Sequence, residues 1–243
     1  MTGRTIWIAI IASVLSFVGG FMLANTLNRN QPAPGEAPKA AQNPNSPASS
    51  ELSLTNEEIQ RKVEEADKNP GNFTFQKNLG LSLYRYAALK QDANLLPDAL
   101  RIMERALALE PTDRDLQIGI GNGYFDKGYF NKDNEGYVKA REYYRKALEK
   151  MSTDTDVRVD LALSYFLIDP PDYATAAAEF EKGLEANSKH ERALQFLTQT
   201  YISQNQIDKA AATLERLKQA HPSSASIPEL STMLANAGTR APK

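Results

Sequence analysis

The sequence predicts an all-α protein in which a solenoid of helical hairpins follows one N-terminal transmembrane helix. Three observations support this prediction: an uncharged apolar segment near the N-terminus, a proline-rich segment after it, and a pair of helical signatures that recurs four times over the rest of the chain. The predicted parts are a tail (1–5), a transmembrane signal-anchor helix (6–27), a disordered linker (28–52), a repeat domain (53–238) and a disordered tail (239–243).

The composition limits the classes of function. The 28 Lys and Arg residues nearly balance the 30 Asp and Glu residues, so the net charge of −2 gives no basic surface for nucleic acid. The chain has no cysteine, which excludes disulfides, thiolate metal sites and a cysteine nucleophile. We expect neither catalytic residues nor a cofactor.

The apolar segment runs from Ile6 to Ala24 and contains no charged residue. A helix of about 20 residues crosses a hydrocarbon core of about 30 Å. A cleaved signal peptide is the alternative, but the cleavage sequence around Ala24 is poor and the apolar run is longer than a usual signal core. Arg4 and Arg29 flank the segment and decide its orientation only weakly. Because a short tail precedes it and a large domain follows, we expect a bacterial inner-membrane protein with a periplasmic repeat domain.

One face of the predicted membrane helix carries small residues at every fourth position. They are Ala12, Ser16, Gly20 and Ala24. Such a face lets two membrane helices approach closely and is a candidate homodimer contact. The alternative is that small residues are simply common in transmembrane segments.

The linker is distinguished by its prolines. They are Pro32, Pro34, Pro38, Pro44 and Pro47. The residues between them are mainly Ala, Asn, Gln and Ser, which bury too little apolar surface to offset the entropy of ordering. Proline keeps such a segment extended, so we expect a spacer between the membrane and the repeat domain.

Each repeat pairs a first helix, which has one small residue among large apolar ones, with a second helix of small–bulky–small spacing. The small residue is Gly80, Gly121, Ala162 or Thr198 on the first helix, and Ala99, Ala140, Ala176 or Ala210 on the second. We expect the two helices to cross closely at these positions. The pattern resembles the tetratricopeptide repeat (TPR), which implies a stack of about four units over residues 53–238.

The spacing of the early repeats is longer than usual. Thr198 and Ala210 lie 12 residues apart, as in a standard repeat, whereas Gly80–Ala99 and Gly121–Ala140 are each separated by 19. The first two units therefore carry insertions of about seven residues, which we expect in the turns between the helices.

Two further helices are predicted at the ends of the repeat domain. Thr55 and Glu58 form a capping-box pattern that starts a polar helix, which runs to about Lys68 before Pro70 stops it. Residues 226–237 are predicted to form a short closing helix.

The resemblance implies that the first helices line a concave groove. The predicted peptide-binding positions are Tyr84, Phe125, Phe166 and Ile202 in one row and Leu81, Asn122, Leu163 and Gln199 in a second row. Aromatic and aliphatic side chains with amides between them suit an extended or helical peptide. The alternative is that part of the first row packs against neighbouring helices.

One polar segment approximates a calcium loop. Asn131, Asp133, Glu135 and Glu142 match ligand positions 1, 3, 5 and 12 of a helix–loop–helix site, with Gly136 at position 6. Position 1 is normally Asp, so a solvated polar turn is the simpler interpretation. A calcium-responsive sensor or regulatory subunit remains the alternative function.

The leading hypothesis is a membrane-tethered scaffold that binds proteins or peptides and catalyses no reaction. Family analogy alone extends it to cell-envelope assembly or cytochrome c maturation, where anchored repeat domains of this kind occur.

Overall fold

The structure is a computed structural model that describes residues 55–239. Over this range the chain forms ten α-helices. They are α1 (Asn56–Lys68), α2 (Phe73–Lys90), α3 (Leu96–Leu109), α4 (Arg114–Asn131), α5 (Asn134–Lys150), α6 (Thr155–Leu167), α7 (Tyr173–Ala186), α8 (Glu191–Ser203), α9 (Ile207–Ala220) and α10 (Ile227–Gly238). The predicted membrane helix, its small-residue face and the linker lie outside the described residues. No helix within 55–239 is long and apolar enough to cross a membrane.

The helices pack as a row of hairpins, which confirms the predicted all-α repeat architecture. Helices α2 and α3, α4 and α5, α6 and α7, and α8 and α9 form the four hairpins. Each second helix also contacts the first helix of the next unit, and successive first helices touch each other. Helix α1 precedes this row and α10 closes it, so the leading and closing helices are confirmed as well.

Side-chain caps start most of these helices. The Thr55 hydroxyl accepts from the Glu58 backbone N–H at 3.2 Å, and the Glu58 carboxylate accepts from the Thr55 N–H at 2.9 Å, as the capping-box pattern predicts. The first helices α2, α4 and α6 are capped by Asn72, Asp113 and Asp154. Each of these side chains accepts from the backbone N–H three residues further on. Polar residues at these turns therefore fix where each unit begins.

The small residues lie at the predicted helix crossings. A Cβ atom on Gly80 would lie 2.6 Å from the Met103 Cγ of the second helix. A Cβ atom on Gly121 would lie 2.7 Å from the Tyr144 ring. Ala162, like the alanine of each second helix, is fully buried. A larger side chain at these positions would push the paired helices apart.

The extra residues of the first two units lie mainly in the helices, so the prediction of longer turns is corrected. Helices α2 and α4 have 18 residues each, against 13 in α6 and α8. Only Lys132 and Asp133 separate α4 from α5. The added helical turns of α4 and α5 pack against each other because Gly128 and Gly136 let the backbones of these two helices meet. A Cβ on Gly136 would lie 2.5 Å from the Gly128 nitrogen.

Candidate functional site

The first predicted groove row is mostly buried in the core. Phe125 is fully buried against Tyr137, with ring centroids 5.3 Å apart, and Phe166 packs on Phe196 at 5.7 Å. Tyr84 is buried too, and in this row only Ile202 is partly exposed. The prediction that Tyr84, Phe125 and Phe166 face a ligand is therefore corrected, since these rings join neighbouring helices.

The second predicted row is more mixed. Leu163 is fully buried, and half-buried Leu81 packs where Gly119 leaves room on the next first helix. Asn122 accepts a hydrogen bond from the Tyr144 hydroxyl at 2.9 Å, so it serves the hairpin of its own unit. Gln199 lines a small recess of about 20 Å³ between α8 and α10. Of the eight predicted positions, Gln199 and Ile202 are the best placed to meet a partner.

The calcium-loop interpretation is wrong. Helix α5 begins at Asn134, so the matched segment has no loop of the required length. Asp133 caps this helix by accepting from the Glu135 N–H at 2.9 Å, and Glu135 forms an ion pair with Lys139. Glu142 lies about two turns further along the helix, roughly 10 Å from Glu135 along its axis. The four oxygen donors therefore cannot surround one ion.

Charged residues connect successive first helices. The Lys77 ammonium donates to Asp113 at 2.7 Å and to Asp115 at 3.0 Å, which joins α2 to α4. Burial alone would lower the pKa of Lys77, but the hydrogen bonds to the two carboxylates outweigh it and the pKa is raised. Arg192 on α8 donates to Asp160 on α6, and both side chains are 3% exposed. These contacts hold successive units together within the chain.

A buried carboxyl group also joins α2 to α4. The Tyr84 hydroxyl donates to the Asp126 carboxylate at 3.0 Å, between α2 and α4. Burial raises the pKa of Asp126 to about 7; the hydrogen bond from Tyr84 opposes this shift and the charge of Asp160 adds to it. This side chain holds two units together and titrates near neutral pH.

An open groove lies between α1 and α2, and we name it the N-terminal groove. It encloses about 400 Å³. Its lining residues are Glu58, Ile59, Arg61, Lys62, Glu65, Leu79, Ser82 and Leu83. Aliphatic side chains from both helices form its floor and charged side chains of α1 form one wall. The size and the apolar floor of the groove suit the apolar side chains of a segment of another polypeptide.

The groove was not predicted, although the sequence contains a signal for it. Ile59, Val63 and Ala66 on α1 repeat the spacing of Ala99, Met103 and Ala106 on α3. This spacing marks α1 as the second helix of a unit. No first helix precedes α1 within residues 55–239, so part of its apolar surface is uncovered in this part of the chain.

Comparisons with known proteins agree with the fold. Residues 167–236 match the family model of the tetratricopeptide repeat. A comparison with curated proteins gave no match.

Two solved structures share the architecture at low sequence identity. A crystal structure of MamA has a TM-score of 0.54 and 16% identity, and the alignment covers 68% of this chain and 87% of that chain. A thermophilic TPR protein of Thermus thermophilus has a TM-score of 0.51 and 16% identity, covering 75% of this chain and 89% of that chain. These similarities show a TPR-like helical solenoid and, with the family match, support the tetratricopeptide-repeat family.

Proposed function

We propose that this protein is a membrane-tethered scaffold that binds other polypeptides through the surfaces of its helical stack. The observation that carries the proposal is the N-terminal groove, an open space of about 400 Å³ with an apolar floor. Repeat stacks of this kind offer extended surfaces, and protein binding is the usual use of such surfaces.

The membrane tether is part of the proposal and rests on the uncharged segment from Ile6 to Ala24. The full chain should remain with membranes after extraction at high salt and alkaline pH. A reporter that is active only after export, fused after Lys243, should be active. Release of the protein by alkaline extraction would contradict the tether, and activity from a cytoplasm-restricted reporter alone would contradict the periplasmic orientation.

Site-specific photo-crosslinking tests protein binding directly. A photoreactive amino acid at Ser82 reports on the N-terminal groove, and one at Gln199 reports on the recess between α8 and α10. The matched control is Ala178, an exposed residue of α7. We expect discrete adducts with one or a few polypeptides from Ser82 or Gln199 in intact cells. The same diffuse adducts at all three positions, or none at any, would reject the scaffold.

A further inference from the structure

We propose that the N-terminal groove binds an amphipathic α-helix with acidic flanks from a partner polypeptide, and that this helix takes the place of a missing first helix beside α1. This inference rests on the proposed function and specifies its site and ligand.

The junction of α1 with α2 is built like the junction of α3 with α4. The Gln76 side chain donates at 2.8 Å to the carbonyl of Asn69, in the turn after α1, and Gln117, at the same place on α4, donates at 3.0 Å to the carbonyl of Pro111, in the turn after α3. Arg105 of α3 also donates to the Ala66 carbonyl. Helix α1 is therefore the second helix of a unit that precedes the first hairpin.

The groove occupies the position of the first helix of that unit. Ser82 and Gly123 both lie two residues beyond the crossing glycine of their helix. A Cβ on Gly123 would lie 2.8 Å from Leu100 on α3 and 3.7 Å from Tyr84 on α2. The preceding hairpin therefore covers the surface of α4 at Gly123. Ser82 is exposed, because no described helix covers the same surface of α2.

The sequence before α1 predicts no first helix at the repeat spacing. A first helix placed 34 residues before α2 would span residues 39–56 and include Pro44 and Pro47, and one placed 41 residues before it would span 32–49 and include Pro38 as well. A proline within a helix removes a backbone hydrogen bond and clashes with the preceding turn, so a regular helix is not expected at either spacing. We therefore infer that the helix that fills the groove comes from another polypeptide.

The groove also defines the chemistry of its ligand. Ile59, Leu79 and Leu83 provide an apolar floor, which calls for apolar residues along one face of the ligand helix. On the wall, Glu58 accepts from the Thr55 backbone N–H, and its pKa is lowered by its hydrogen bonds with Thr55 and by the nearby charge of Arg61; Glu65 forms an ion pair with Lys62. Arg61 borders the floor, and Arg85, also exposed, lies one turn beyond Ser82. Acidic residues beside the apolar face would pair with these two cations.

A suitable probe is a fluorescein-labelled peptide copying residues 153–168. It contains a complete first helix, with small Ala162 at the crossing position, and it has more acidic than basic residues. Anisotropy with the full chain in detergent micelles should show saturable binding that a scrambled peptide lacks. Ser82→Trp, which fills the groove from α2, and Lys62→Trp, which fills it from α1, should each weaken binding at least tenfold. Ala178→Trp places the same ring on α7 and should change the affinity less than twofold.

Several outcomes would overturn the inference. Equal affinity of the wild type and both groove variants, with unchanged melting temperatures, would show that the peptide binds elsewhere. Absence of saturable binding would reject a helix as the ligand. A dimer that Ser82→Trp converts to a monomer would identify a second copy as the occupant, and a tenfold gain in affinity after deletion of residues 32–50 would identify the linker. If these tests fail while crosslinking at Gln199 still yields a partner, only this inference falls; if both fail, the scaffold falls with it.

Discussion

At the scale of single residues, the backbones of α4 and α5 approach each other closely at Gly128 and Gly136. A Cβ on Gly136 would lie 2.5 and 2.6 Å from backbone atoms of Gly128, and 2.7 Å from the Tyr124 carbonyl oxygen. Flexible side chains can move aside, whereas two helix backbones cannot do so without separating the hairpin. This contact makes the α4–α5 hairpin the tightest of the four.

Replacing Gly136 by alanine should therefore destabilise the domain strongly. We expect Gly136→Ala to lower the free energy of unfolding by about 3 kcal/mol or more, through overpacking. Gly183→Ala is the matched control, because its new Cβ would have its nearest neighbour at 3.5 Å, an ordinary contact. It should be neutral or stabilise the helix by up to about 1 kcal/mol. Urea denaturation followed by circular dichroism measures both, and equal effects of the two variants would contradict the close contact.

The buried carboxyl of Asp126 should make stability depend on pH. Its folded pKa is about 7, above the ordinary value of 3.8, so the folded state holds the proton more tightly than the unfolded state. The stability contributed by this proton is complete below about pH 4 and is lost as the pH rises to about 7. Through this group the free energy of unfolding should fall by on the order of 2–4 kcal/mol over that range.

Asp126→Asn keeps an oxygen acceptor for Tyr84 and removes the titration. Urea denaturation of both proteins at pH 5 and pH 8 isolates the contribution, with Asp160 as the nearby carboxylate that remains in each. We expect the wild type to lose more stability between the two pH values than the variant does. The same loss in both proteins would mean that Asp126 is ionised in the folded state throughout this range.

At the scale of helices, the ion pair between Asp160 and Arg192 joins α6 to α8. Arg192→Leu should cost about 3–5 kcal/mol of stability, because it leaves a buried carboxylate without its cation. Replacing both residues by leucine should recover much of that loss, since no buried charge then remains. Arg101→Leu is the control: its pair with Asp67 is more than 40% exposed on both sides and should contribute less than about 1 kcal/mol. Thermal and urea denaturation of the four proteins would test this order, and a double variant no more stable than Arg192→Leu would contradict it.

The register of the helices could be predicted from the sequence, whereas their lengths could not. A close crossing accepts only small residues, so Gly80, Gly121 and Ala162 reveal where helices pair. Residues 131–135, around the junction of α4 and α5, are polar, and Gly128 and Gly136 flank them, a pattern that locally favours a turn. The helices continue because those two glycines meet each other, and a contact between two helices leaves no local signal.

The candidate binding surface was harder to predict for a related reason. Phe125 and Phe166 recur on the expected face, but whether such a ring reaches solvent depends on how far the next helix covers it. Tyr137 and Phe196 provide that cover here. The N-terminal groove has the opposite origin, since it lies where the repeat pattern places a helix and the sequence places prolines.

At the scale of the whole molecule, each unit contacts only its neighbours, so stability should vary along the stack. Helix α4 buries ten of its residues, whereas α1 buries Ile59, Val63 and Ala66, and α10 buries only Leu230. The end helices therefore lose little apolar contact when they open, whereas opening α4 separates it from four helices, α2, α3, α5 and α6.

Hydrogen exchange of the full chain, followed by mass spectrometry, should show this gradient. We expect the amides of α4 and α5 to exchange most slowly, at a rate set by global unfolding, and those of α1 and α10 to exchange faster by several orders of magnitude. Saturation with the peptide copying residues 153–168 should slow exchange in α1 and leave α10 unchanged, because α1 borders the N-terminal groove and α10 does not. Uniform protection from α1 to α10 would mean that the stack unfolds as one unit. Slowing at α10 instead of α1 would move the binding surface to the recess beside Gln199.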